Sequence, residues 1–288
     1  MRGLAFNMDS KIKQDDKNAR HALFELGRHM RLFKIFLKFR LSNQMIYRAS
    51  FWTAFCVDMS MFLIQLLVFS VLFFNVDSIN GWTKYQMVFF VGTFTIIDGM
   101  NMLLFFFGII NIPWKVREGK LDIYLVKPVN TLFWLSIENM DIGSGFICIP
   151  GIIMVVLASI KLGIRLTFGG LLGYILLLIL MLALLYDLML ITRTLSFRFI
   201  KTDALNDLEG ELVGFSVKVP GIVFRGVAKF ILYVLLPYAL IATIPTQFFT
   251  GTFGIGLWLL VLGVVSAFTI LALSMWHRGL KCYGSASS

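Results

Sequence analysis

Six apolar runs, each about twenty residues long, decide what this chain can become. They fall near residues 51–75, 86–111, 132–160, 168–192, 227–248 and 255–276. About twenty residues at the helical rise of 1.5 Å span the ~30 Å hydrocarbon layer of a bilayer. Backbone N–H and C=O groups find no water there and must pair within the segment, so runs of this length predict helices rather than open strands. A mean hydropathy of +0.84 over 288 residues, with 58% hydrophobic and 15% charged, belongs to the same class. The expected fold is an all-α polytopic membrane protein. It comprises a cytoplasmic N-terminal region (1–50), a six-helix transmembrane domain (51–276) and a cytoplasmic tail (277–288).

The basic residues set the expected orientation, because Lys and Arg concentrate on cytoplasmic loops. Eleven lie in the first 50 residues, and Lys115, Arg117, Lys120 and Lys127 lie between the second and third runs. Arg193, Arg198, Lys201, Lys218, Arg225 and Lys229 follow the fourth run, and Arg278 and Lys281 are in the tail. On this assignment 23 of 26 basic residues share one side, opposite Lys84, Lys161 and Arg165. Both termini are then cytoplasmic. The net charge of +10 is accounted for by this asymmetry, so no nucleic-acid partner is inferred. No cleavable signal peptide is expected, since the first apolar run starts only at Phe51.

Several local signals refine the picture. Residues 18–39 carry Leu23, Leu26, Met30, Phe33 and Leu37 on one helical face. Arg28, Arg31, Lys34 and Lys38 lie on the other, which predicts an amphipathic helix on an anionic lipid surface. Asn80-Gly81 predicts the turn of the first outer loop, with Trp82 and Tyr85 at headgroup level. Pro150 predicts a kink in the third span, and Gly169 and Gly173 give GxxxG spacing for close helix packing. Residues 202–218 hold Asp203, Asp207, Glu209 and Glu211 beside an apolar face. That segment is expected on the cytoplasmic surface, the alternative being a crossing buried inside the bundle. Pro237 and Pro245 permit a re-entrant or broken element in the last region, provided protein covers it.

Catalytic chemistry finds no support. Gly119-Lys120 is followed by Leu121, so the Gly-Lys-Ser/Thr of a nucleotide-binding loop is missing. His21, His29 and His277 are scattered, and Cys56, Cys148 and Cys282 show no metal-ligand spacing; no metal site is expected. Asp58, Asp98, Glu138, Asp141 and Asp187 fall in or near the spans without an accompanying Lys or Arg. Carboxylates in a span face protein, water or a partner. Asp58, Asp98 and Asp187 are therefore candidate pathway residues, an acidic lining that suits cationic amphiphiles or ion coupling. If the third span begins near Ile142, Glu138 and Asp141 are interfacial. The connection Trp114–Phe133 places Leu121, Ile123, Tyr124 and Leu125 among charges. That composition suits a short helix docking in a partner's groove.

Tyr47-Arg48-Ala49-Ser50-Phe51, the element Gly119-Lys120-Leu121-Asp122-Ile123-Tyr124-Leu125-Val126-Lys127-Pro128 with Asn130 and Phe133, and the late series Phe215, Pro220, Pro237, Pro245 carry a resemblance. Together they resemble ABC-type exporter permeases of the type-2 fold, in a bacterial branch with two related permeases and a separate ATPase. The resemblance implies a multi-pass protein of the bacterial cytoplasmic membrane. Its coupling element would comprise Arg117, Glu118, Lys120, Leu121, Asp122, Tyr124 and Leu125. It also implies two copies of a cytoplasmic ABC ATPase, with ATP and Mg bound there and no cofactor on this chain. The second permease would be related rather than identical, and the cargo a drug, antibiotic or other amphiphile. The competing expectation is a self-contained secondary transporter or channel that uses the span carboxylates.

Overall fold

A computed structural model describes residues 27–43, 48–164, 167–199, 203–251 and 254–284. Residues 1–26, the start of the expected amphipathic helix among them, lie outside the described residues. Among the described residues the architecture is helical apart from one two-stranded hairpin.

Helix α1 (27–43) precedes α2 (Arg48–Asn75). Of the predicted α1 stripe, Phe33 and Leu37 are half-buried, and Leu23 and Leu26 lie outside the described residues. His29 and Phe36 make edge contacts with Phe133 and Trp134, at 4.6 and 5.3 Å between ring centroids, while Met30 is 53% exposed. Strands β1 (Ser78–Ile79) and β2 (Trp82–Thr83) pair antiparallel through the expected turn. Both turn residues, Asn80 and Gly81, have positive φ (48° and 86°), the backbone that lets two residues reverse a right-twisted ribbon. Thr83 and Gln86 form a capping box that starts α3 (Lys84–Asn101), which continues through a π turn at Met102–Phe106.

The short helices α4 (Ile112–Arg117), α5 (Asp122–Leu125) and α6 (Thr131–Ile137) make the connection to the third span. That span is α7 (Ile142–Gly145) followed by α8 (Cys148–Lys161), so it begins at Ile142 and not at residue 132. The interruption falls before Pro150. The proline sits in the first turn of α8, where its missing N–H breaks no helical bond, and the expected kink at Pro150 is absent.

Helices α3 and α8 meet through glycine. A Cβ on Gly92 would lie 2.8 Å from the Gly151 carbonyl oxygen, and one on Gly151 would lie 3.0 Å from that of Gly92. Small residues let two helix backbones approach without a hydrophobic drive from lipid. At the predicted GxxxG, Gly169 meets nothing within 4 Å and Gly173 only the ring of Phe248. The close helix contact is Gly92–Gly151.

Helix α9 (Phe168–Thr194), extended by a 3-10 turn at Leu195–Phe197, packs on α13 (Ile255–Cys282). Between them come α10 (Asp203–Lys218), α11 (Gly226–Phe230) with a π turn at Ile231–Leu235, and α12 (Leu240–Phe249). Glu209 of α10 meets Arg193 near the C-terminal end of α9. After α10, the Ile222 carbonyl accepts from Asn80 Nδ2, and Arg225 donates to Asn80 Oδ1 at 3.1 Å. Residues 203–225 thus run from one end of the bundle toward the β-hairpin at the other. Of the two placements expected for 202–218, this direction fits the crossing inside the bundle rather than the surface helix, and Arg225 stands at the hairpin end with Lys84.

Residues 226–249 then turn back. Gly226–Leu235 and Pro237–Phe249 are bent by 83°. Phe249 closes the hairpin against Phe89 and Tyr174, 5.5 and 4.9 Å away, near the hairpin-side ends of α3 and α9. Both ends of 226–249 therefore lie at the same end of the bundle, so this apolar run is a folded-back hairpin rather than the single expected crossing. Thr243 accepts from Gly221 N at 2.8 Å, and Leu240–Thr246 is fully buried, which supplies the protein cover a broken element needs.

Among the described residues four helices are long and apolar enough to cross a membrane: Lys84–Arg117, Ile142–Lys161, Phe168–Phe197 and Ile255–Cys282. The bent pair would be a fifth by composition alone.

Candidate coupling site

The connection between the second and third spans is built as a rigid platform. Pro113 starts α4 with its φ preset, and Gly119 ends it at φ +65°. Lys120 N donates to Lys115 O at 2.9 Å and Gly119 N to Val116 O at 3.3 Å, the paired bonds of a glycine-capped helix end. Leu121 is fully buried in a cluster with Ile109, Ile112, Leu135 and Trp276. Asp122 opens α5, with the Tyr283 hydroxyl of the tail beside its carboxylate; burial first, then that charge, raises the Tyr283 pKa. Asn130 accepts from Phe133 N at 3.0 Å and caps α6.

Below this loop Lys115 and Glu138 form a buried ion pair joining α4 to the end of α6. Arg40 of α1 donates to the Glu138 carbonyl at 2.8 Å and to Asn139 Oδ1. Burial lowers the Arg40 pKa, with Asp141 opposing. Glu138, expected without a cation, therefore has one, because the loop folds back and brings Lys115 to it. Gly108 gives the close approach needed here, since a Cβ would strike the carbonyl oxygens of Leu135 and Ser136.

The outward surface is different. Val126 is 82% exposed, Ile123 57% and Leu125 42%, with Arg117, Glu118 and Lys120 around them, also exposed. Lys120 Nζ lies 3.9 Å above the Trp114 ring, and Lys115 and Lys127 flank Tyr124 at 4.7 and 5.5 Å. Tyr124 is half-buried, and its pKa is raised by that burial. An apolar centre with a charged rim is the composition of a protein contact. Among the residues expected to touch a partner, Leu121 faces the core; Ile123 and Val126 carry more of the exposed apolar surface.

The carboxylates assigned to a pathway lie on three helices, Asp58 on α2, Asp98 on α3 and Asp187 on α9. Asp187 is buried and accepts from Thr269 Oγ1 of α13, while Asp98 is half-buried on α3. The Asp58 side chain lies outside the described positions. The charged pair that sequence reasoning missed is Arg193–Glu209, at 2.8 Å with each side chain 4% exposed, and Thr192 Oγ1 donates to the same carboxylate at 2.7 Å. Two opposite charges on neighbouring segments, each polar inside an apolar region, were its only sequence signal. Among the described residues no group of His, Cys, Asp or Glu is placed to hold a metal.

A helical bundle with a braced loop at one end is shared by many transporters, and a family comparison decides among them. The family described as ABC-2 family transporter protein matches residues 59–287. The chain belongs to the ABC-2 transporter family. The matched range takes in α3 to α13 and the whole connection between the second and third spans. No curated protein and no solved structure matches the chain. The ABC-2 chain is thus an integral membrane component of a transporter, and the site above is the cytoplasm-expected end of an ABC-2 permease.

Proposed function

We propose that this ABC-2 permease is the membrane half of an ATP-driven exporter, and that α5 with its flanks is where a separate cytoplasmic ATPase pushes. The observation that carries this is the contrast within one loop. Leu121 and the Lys115–Glu138 pair fix its base, while Ile123, Leu125 and Val126 stand exposed at its tip. A mobile loop would absorb a push; a braced one passes it to α3, α6 and the end of α9.

In this reading six segments cross the membrane: α2, α3, α7–α8, α9, α10 and α13. The α10 crossing is polar, and the Arg193–Glu209 pair is what makes it tolerable. Residues 226–249 enter from the outer side and return. Both termini are cytoplasmic, two ATPase copies carry ATP and Mg, and a second, related permease completes the pathway. The cargo is an amphiphile, a cationic one if Asp98 and Asp58 face the path.

Purification in mild detergent, with mass identification of bound chains, tests the reading. Wild type should retain a soluble ABC ATPase, and Asp122→Ala/Tyr124→Ala should lose it. Transport by the purified permease alone, without any ATPase, would overturn the proposal.

A further inference from the structure

A recess of about 120 Å³ opens between the ends of α9 and α13, at the end of the bundle that carries the connection between the second and third spans. Its lining divides by chemistry. Leu195, Phe197 and Met275 make an apolar floor, Thr194 contributes a buried hydroxyl-bearing residue, and Arg198 and Arg278 bring two cations from different elements. Both arginines are exposed, and no hydrogen bond or ion pair joins either guanidinium to another described residue. Gly279 lets the Phe197 ring close the floor, since a Cβ there would come 2.5 Å from it.

Two guanidinium groups over an apolar floor, where a bilayer keeps its phosphates, select an anion that carries hydrocarbon. Arginine matches phosphate oxygens with paired N–H donors, and basic recesses between crossing helices on the cytoplasmic side take anionic headgroups. We propose that this recess binds the phosphate of an anionic phospholipid of the inner leaflet, held by Arg198 and Arg278 with its chains along Leu195 and Met275. A free phosphate shares the headgroup chemistry but gains nothing from the floor. The site rests on the orientation proposed above and not on the ATPase. Phe197 also meets Tyr283 edge to face, 6.1 Å between ring centroids, and Tyr283 lies beside Asp122, so an occupied recess braces the coupling loop from behind.

The test uses the purified full chain in nanodiscs of phosphatidylcholine, with and without phosphatidylglycerol. Lipid retained on release is counted by native mass spectrometry, and the thermal midpoint is followed in parallel. Wild type should retain phosphatidylglycerol and gain stability from it. Arg198→Gln/Arg278→Gln should retain about tenfold less, each single variant falling between, while phosphatidylcholine retention stays constant. Equal phosphatidylglycerol on wild type and double variant would overturn the site. Equal stabilisation by inorganic phosphate would overturn the lipid assignment. ATPase recovery in the same preparations reports separately on the exporter reading.

Discussion

Arg193 donates to Glu209 across 2.8 Å, and that ion pair, with the Thr192 hydroxyl on the same carboxylate, fastens the most polar helix of the bundle to α9. Neither charge could stay buried alone. Removing one partner leaves an uncompensated ion, which costs about 3–5 kcal/mol, whereas replacing both by apolar groups is often close to neutral. Glu209→Leu should therefore sharply lower the thermal midpoint in detergent, and Arg193→Met/Glu209→Leu should recover most of the loss. A double variant as unstable as the single would show that the pair is not what holds α10.

The direction of α10 can be checked by thiol labelling of intact cells. In a chain with Cys56, Cys148 and Cys282 replaced by Ser, Arg225→Cys and Ser78→Cys should both react with an impermeant maleimide from outside. The common contact of Arg225 and Ile222 with Asn80 requires this. Labelling of Arg225→Cys only after the membrane is opened would restore 202–218 to the inner surface.

How the sequence was legible follows the range of each interaction. The Asn80-Gly81 turn depends on its own backbone and stands where it was expected, and the caps made by Gly119 and Asn130 are equally local, each joining residues at most five apart. The resemblance-bearing element from Gly119 to Pro128 likewise resolves into a glycine stop, a buried Leu121 and an exposed tip. Glu209 could not be placed that way, because the cation that lets it enter the bundle lies sixteen positions back and reaches it only through an antiparallel fold. For the same reason hydropathy overrated 227–248. Burial between α3, α9 and α10 accounts for the apolar character of its second half, Leu240–Thr246, whereas Val227, Phe230 and Leu235 are exposed, and the break at Leu236-Pro237 sends the run back. The separation of Leu121 from Val126 was also beyond composition, since both are aliphatic residues in one short loop.

Glycine substitutions should separate a packed contact from an open one. Gly92→Ala brings a Cβ to 2.8 Å from the Gly151 oxygen, so α3 and α8 must part; about 1–3 kcal/mol of destabilisation is expected. Gly169→Ala meets open space and should stay within about 0.5 kcal/mol of wild type. Fluorescence-detected size exclusion after a heat step measures both, and comparable losses would show that helix propensity, not contact, governs these positions.

The platform and its tip should fail in different ways. Leu121→Ala empties a fully buried site and should cost about 2–5 kcal/mol, with ATPase recovery falling only as far as folded protein falls. Val126→Asp and Ile123→Asp place a charge on residues that are 82% and 57% exposed, so the fold should be unaffected. In an interface each charge would be desolvated without a partner. ATPase recovery per folded permease should then drop by about tenfold or more, which corresponds to at least ~1.4 kcal/mol of binding. The decisive quantity is that ratio, measured as ATPase per monodisperse permease. If it falls for Leu121→Ala and holds for Val126→Asp and Ile123→Asp, the partner reads the loop's backbone position rather than its exposed apolar tip, and the contact assigned to α5 is wrong.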